Sequence, residues 1–482
     1  MSVRKSVFWA FIGQFVSFAT TLGSSIIVAH LLTPREMGIF AVAFAALGVL
    51  QMVAAFDMAT YIVREKELAP HTLDGAFTVN AVLCVGLAMT TYILSFAGAA
   101  FLHEPAVAYA LQLLALGPLI SIFEFRPSAM LQRSMQFKRI SAITTGKTAT
   151  GAIVTVLTAW TGHSYMSLAY GNLAYAAFGV IAYNLLGWQH VGIRLSRADW
   201  RVMSSFGIRM MSISGLANLV VRLSDIVLGR MLGLAALGLY SRATSISNLI
   251  FQNFYGTATR VAFIQLARDY RERGVLRDTF LRSIQMITAV MWPLLIGLAI
   301  LAKPVILVMF GAQWLPAAIP MALLLVAQFI VLAFGMNWEL FVLRDETARQ
   351  TRFEAIRAVV SLIFFVVGCS ISIAAAATSR IADALVGLAL YLPHMNRMAG
   401  TGTADLVRVY GQSALLTVAA VLPSAMLMIA HGWDAETPLT MIAGHVVLGL
   451  LLWLVTLSLL RHPLFGELIG LGQRMLGRKV TR

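Results

Sequence analysis

Fourteen times along this chain an apolar stretch of about twenty residues gives way to a short polar connection. A helix of that length rises about 30 Å, the thickness of a bilayer's hydrocarbon core. The spacing predicts helices near residues 7–29, 38–59, 77–100, 107–125, 141–160 and 166–188, then 210–230, 238–262, 280–301, 319–338, 353–373, 381–396, 409–430 and 438–460. Backbone groups in lipid must be satisfied within their own segment, so the expected fold class is an all-α polytopic membrane protein. With 59% hydrophobic and 12% charged residues, the chain carries more apolar surface than a soluble core would hide. Cys84 and Cys369 both fall inside apolar spans, where a thiol behaves as a small hydrophobe, and no disulfide framework is implied. The start, MSVRKS before about 22 mostly apolar residues, has too long an apolar run for a signal peptide and reads as an uncleaved first helix.

The net charge of +15 is better explained by topology than by nucleic acid. If the N-terminus is cytoplasmic, 30 of the 36 Lys and Arg fall in inside connections, and only Arg35, Arg230, Lys303 and Arg380 fall in outside ones. A miscounted helix would scramble that alternation from the error onward. Both termini are therefore expected in the cytoplasm.

A duplication organises the spans. IIVAHLLTPREMGIFAVA, residues 26–43, and IVLGRMLGLAALGLYSRA, residues 226–243, agree at 26/226, 32/232, 38/238 and 43/243 without a gap. Both run from the end of one apolar segment, through a turn ending in Gly38 or Gly238, to an aromatic residue and a new apolar segment. Six helices precede the second copy's half, an even number, so the repeats are parallel and related by an axis along the membrane normal. The expected organisation is an N-lobe over 1–188, a cytoplasmic linker over 189–209, a C-lobe over 210–396, and two additional C-terminal helices with a basic tail over 397–482. Two like halves imply a cleft between them.

Catalysis finds little support. No outside connection exceeds about 18 residues, and the chain has no HExxH, Walker A loop or nucleophile elbow. No enzyme activity, cofactor or metal site is expected.

Polar groups inside the spans mark the candidate site. Ser241, Ser245, Asn248, Gln252, Tyr255 and Thr259 are spaced by four and three, which forms one stripe along a helix face. The first helix carries a shorter version, Gln14, Ser17, Thr21 and Ser24. Such stripes either bond helices together or line an aqueous cavity, and the size of Asn and Gln favours the cavity. Arg222 and Asp225 are three apart on the seventh helix, and Arg242 lies about one turn into the eighth. Either the first two neutralise each other while Arg242 reaches the outer head groups, or the three form a patch of net charge plus one suited to phosphate. Lys147 is either an inner-boundary lysine or a second cationic point in that cavity. Asp57, Glu124 and Glu339 lie near cytoplasmic helix ends, where such acids are either ion-coupling sites or, more commonly, solvated or paired with inner arginines, Arg126 for Glu124 and Arg344 for Glu339.

These residues place the chain beside a known family. VAHLLTPREMGIFAVA, FDMATYIVREKELAPHTLDGAFTVN from 56, PSAMLQRSMQFKRISAIT from 127, LSDIVLGRMLGLAALGLYSRA from 223 and FGAQWLPAA from 310 resemble Wzx-type lipid-linked oligosaccharide flippases. These belong to the multidrug/oligosaccharidyl-lipid/polysaccharide exporter superfamily, and the likeness is to the colanic-acid and succinoglycan branch. The resemblance implies a two-lobed alternating-access fold in the bacterial inner membrane that moves an undecaprenyl-diphosphate-linked repeat unit outward for exopolysaccharide, capsule or lipopolysaccharide biosynthesis. It also implies a cationic cavity for the diphosphate, with Arg222 and Arg242 as candidates, and membrane lipids, a polymerase and chain-length or export machinery as partners. In the first repeat their positions hold Leu22 and Val42. The alternatives are a cation-coupled multidrug exporter, for which only Asp225 offers a deeply embedded carboxylate, and a membrane glycosyltransferase or polymerase, which the short outer loops disfavour.

Overall fold

A computed structural model describes residues 3–53, 56, 58–65, 69–190, 192, 194–196 and 199–475. Every regular element among them is helical. The first six long helices are Val3–Leu31, Pro34–Val53, Pro70–Leu102, the interrupted segment Pro105–Arg133, Phe137–Trp160 and Met166–Leu186. The next six are Trp200–Met231, Leu234–Arg273, Arg277–Ile300, the interrupted segment Ala312–Leu343, Thr347–Cys369 and Ile373–Ala399. Thr403–Ala430 and Leu439–Leu459 follow, and Pro463–Met475 is a shorter terminal helix.

Among the described residues, ten of these helices are long and apolar enough to cross a membrane. The sixth, seventh, eighth and eleventh are the helices at expected span positions that fall short of that test. The eighth and eleventh carry the polar stripe and several charges, which lower their apolarity without ending the helix.

The twelfth helix corrects the sequence reading. Expected as a short segment over 381–396, it runs Ile373–Ala399, so Arg380 lies inside a helix and not in an outside connection. The run Ala374–Ala377 interrupts strong hydropathy, yet alanine is the best helix former. Ser372 caps the start by accepting the Ala375 N–H at 3.0 Å, and Gly400, at φ 72°, ends it in the left-handed conformation.

The duplication continues well past residue 43. The fourth and tenth segments are both broken, the fourth by a 3-10 turn over Ile122–Glu124 and the tenth by a non-helical turn over 333–336. After each break a short helix ends in the same reversal. Met135 and Asp345, 210 residues apart, take positive φ of 52° and 57°. Gln136 N–H then closes onto the Leu131 carbonyl at 3.1 Å, and Glu346 N–H onto that of Phe341 at 2.9 Å.

Packing divides the chain into two compact units, Met1–Gly238 and Leu239–Arg482. The seventh helix packs on the second within the first unit, so this division falls beyond the 189–209 connection that separates the repeats in sequence. Ile62, Phe77, Ala129 and Met203 centre one core of the first unit. In the second unit Leu416 and Leu457 bury against Ala289, whose carbonyl accepts the Trp453 indole N–H at 3.0 Å.

The two copies of the duplicated turn meet inside the first unit. A Cβ at Gly38 would overlap the Leu234 carbonyl oxygen, and one at Gly238 would overlap that of Pro34. The positions 34/234 and 38/238 share the 200-residue register of the repeat, so the contact is reciprocal.

Candidate functional site

Arg222, on the seventh helix, is half-buried and lies along the second helix. Its guanidinium carbon stands 5.1 Å from the centre of the Phe44 ring, and its stem crosses Gly48, where a Cβ would come within 2.7 Å of Nε. Asp225 follows one turn later and is also half-buried.

Arg242 is 3% exposed, inside the second unit. Its guanidinium carbon stands 5.0 Å from the Phe310 ring and 5.1 Å from the Trp314 ring, so the charge rests on the negative faces of two aromatics. The side chain is not carried out to a surface as a head-group arginine would be. The aromatics belong to FGAQWLPAA, a motif legible in the sequence whose contact with Arg242 was not.

The polar stripe of the eighth helix divides along its length. Ser245, Asn248 and Gln252 are exposed. Ser245 Oγ donates to the Ser241 carbonyl at 2.7 Å, and Asn248 Oδ1 accepts from Gln328 Nε2 at 3.2 Å. Lower down, Thr259 is buried and the Tyr255 hydroxyl is turned inward. On the first helix Gln14 is exposed.

Lys147 is 8% exposed, and its ammonium bonds both Glu124 oxygens at 2.9 and 3.0 Å. It also stands 4.6 Å from the centre of the Tyr175 ring. Its charge is thus answered within the first unit. This corrects the expected Glu124–Arg126 pair: Arg126 instead binds Asp74 at 2.7 Å and the Gly192 carbonyl at 3.0 Å. Likewise Arg344 donates to the Met398 carbonyl at 2.7 and 3.0 Å and not to Glu339. Asp57 lies outside the described residues.

The second unit holds charged groups that the sequence reading missed. Arg357 forks onto Asp383 at 2.9 and 3.1 Å, Tyr391 donates to Glu354 at 2.7 Å, and Arg380 donates to Ser361 at 2.9 Å. These are the counterparts of the Lys147 cluster. Arg357 lies 210 residues after Lys147, and Glu354 lies 210 after Thr144, the side chain that bonds Tyr183. Gly387 and Tyr391 lie 208 after Gly179 and Tyr183. Each glycine makes room for its unit's cation: a Cβ would come 2.7 Å from Lys147 Nζ at Gly179, and 3.2 Å from Arg357 Nε at Gly387. Extending the duplication beyond residue 243 would have exposed these positions. Among the described residues no cluster of three or more His, Cys, Asp and Glu could hold a metal ion.

Comparison with known proteins gives these features a setting. Over 98% of both chains the sequence is 21% identical to an uncharacterized membrane protein in the cps region of Klebsiella pneumoniae. It is 26% identical to the succinoglycan biosynthesis transport protein ExoT of Rhizobium meliloti, over 65% of this chain and 63% of that protein. In fold it is similar to the lipid II flippase MurJ in an inward closed conformation, with a TM-score of 0.74, 11% identity, and coverage of 95% of this chain and 99% of that one. The model of one family, described as polysaccharide biosynthesis protein, matches residues 27–319, more than half of the sequence, and the chain therefore belongs to that family.

Proposed function

We propose that this protein flips undecaprenyl-diphosphate-linked oligosaccharide repeat units from the cytoplasmic to the periplasmic leaflet of the bacterial inner membrane. The family match over residues 27–319 carries this reading, and the transporter fold supports it. The lobes over 1–188 and 210–396 act as the two halves of an alternating-access machine, and a polymerase and chain-length machinery consume the product. A diphosphate leaving water needs fixed cations and several donors. Arg222 supplies a half-exposed cation from the seventh helix, Asn248 and Gln252 supply exposed amide donors beside the exposed Ser245, and Arg242 supplies a charge held on two rings.

Arg222→Ala and Arg242→Ala are each expected to lower polymer export about tenfold or more with protein still in the membrane, since a charged hydrogen bond contributes roughly 1.5–3 kcal/mol. Arg242→Lys should recover part of the loss, and Arg271→Ala or Arg273→Ala should do little. The double change Arg222→Ala with Asp225→Ala removes any stranded carboxylate but still lacks the cation. Normal export by the double variant would make Arg222 and Asp225 architecture and not a phosphate site.

The bias of Lys and Arg toward alternate connections supports a cytoplasmic position for both termini. Reporters fused at Ala69, Ser196, Glu272 and Arg349 should read cytoplasmic, and those at Glu104, His163 and Trp433 periplasmic. A swapped interior pair would show that one of the fourteen helices does not cross.

A further inference from the structure

The two repeats answer the acid at their broken helix differently. In the first, Glu124 sits on the 3-10 turn and takes Lys147 on both oxygens. In the second, the position 210 residues beyond Glu124 is Phe334, and Arg357, the counterpart of Lys147, is committed to Asp383. The acid at the second break is Glu339, five residues further on, in the short helix Asn337–Leu343. It is 8% exposed, and its Oε2 has no hydrogen-bond partner among the described residues. Tyr255, from the eighth helix, brings a second buried oxygen to the same break. Its hydroxyl fills the space that a side chain at Gly335 would need and has no hydrogen-bond partner among the described residues.

Several charged and polar groups of the surrounding helices are engaged elsewhere, and Tyr410 donates to the Ala333 carbonyl at the break itself. Arg344 binds the Met398 carbonyl and lies 5.1 Å from the centre of the Tyr270 ring. Arg349 and Arg397 both bind Glu346, and Glu354 accepts from Tyr391. Asn337 donates to the Phe334 carbonyl at 2.8 Å and accepts from Gln350 at 3.4 Å. Among the described residues, then, no ion pair neutralises Glu339. A bare carboxylate held out of water is costly unless a cation joins it, and the simplest cation that solution offers is a proton.

We propose that Glu339, beside Tyr255 at the break of the tenth helix, binds an exchangeable proton, the positive charge that the first repeat builds in as Lys147. Binding converts the carboxylate to a carboxylic acid by forming one O–H bond with a proton from water, and release returns that proton. At the acid of its broken helix, the first repeat therefore holds a permanent positive charge and the second one that comes and goes. The site goes beyond the proposed flipping activity, and its test needs no transported substrate.

The test is difference infrared spectroscopy of the full-length protein in lipid nanodiscs over a pH titration. A protonated-carboxyl band is expected that is lost as pH rises, shifts in heavy water, disappears in Glu339→Gln and survives in Glu124→Gln. Tyr255→Phe should shift the band without abolishing it, and this variant carries the assignment should Glu339→Gln fail to fold. Absence of the band in the native protein, its persistence in Glu339→Gln, or no shift in Tyr255→Phe overturns the proposal. So does its removal at constant pH by sodium chloride but not by choline chloride, which would make the ligand a metal ion.

Discussion

Gly38→Val should leave little folded protein in the membrane, and Gly238→Val should do the same. The atom in the way is a backbone carbonyl oxygen, of Leu234 in one case and Pro34 in the other, and no rotamer change moves it aside. Overpacking of this kind costs about 3 kcal/mol, the upper end of the usual range, because the helices themselves must part. A loss of that size is a large share of a marginal stability. Membrane abundance of a fluorescent fusion and the melting temperature in detergent measure it. Gly23→Ala is the control, since nothing lies within 4 Å of a Cβ there and no loss is expected. Harm from one glycine substitution but not the other would show that the reciprocity of the contact has no energetic meaning.

Lys147→Met should be at least as damaging, for an electrostatic reason. It leaves Glu124 beside Tyr175 and Tyr183 with its cation gone, and breaking a buried pair on one side costs about 3–5 kcal/mol. Lys147→Met with Glu124→Gln should regain most of the stability, because replacing both charges is often close to neutral. A sharper comparison copies the second repeat into the first. Glu124→Phe alone strands Lys147; adding Lys147→Arg and Tyr175→Asp reproduces the arrangement of Phe334, Arg357 and Asp383, and thermal melting should show recovery. A triple variant no more stable than Glu124→Phe would mean that the two clusters are not interchangeable.

The span map was legible because apolar length is a property of consecutive residues. Hydropathy read the twelfth helix short because it undervalues alanine, which has little apolar surface but the highest helix propensity. Charge partners were less legible. Glu124 has Arg126 two residues away in sequence, yet residues two apart do not face each other on a helix, and the partner that packing provides is Lys147 on the next long helix. Arg242 shows the same limit: its depth followed from counting residues, but the rings beneath it lie some seventy positions on and depend on how the segment around Gly311 turns. The polar stripe was visible as a periodicity, and only the fold divides it into an exposed upper part and a buried lower one.

The changing register between the two copies records their history since doubling. Equivalent residues stand 200 apart at Gly38 and Gly238, 210 apart at Lys147 and Arg357, and 208 apart at Gly179 and Gly387. The later copy is therefore a net ten residues longer than the earlier one between the duplicated turn and the fifth helix, and a net two shorter around the joint between its fifth and sixth. Around the cation, the glycine and the tyrosine the local spacing has stayed in step, so insertion and deletion have been absorbed elsewhere. Those stretches are where this ancestral sequence has already been cut and rejoined, and a label or guest domain placed at their loops would follow a route that descent has opened.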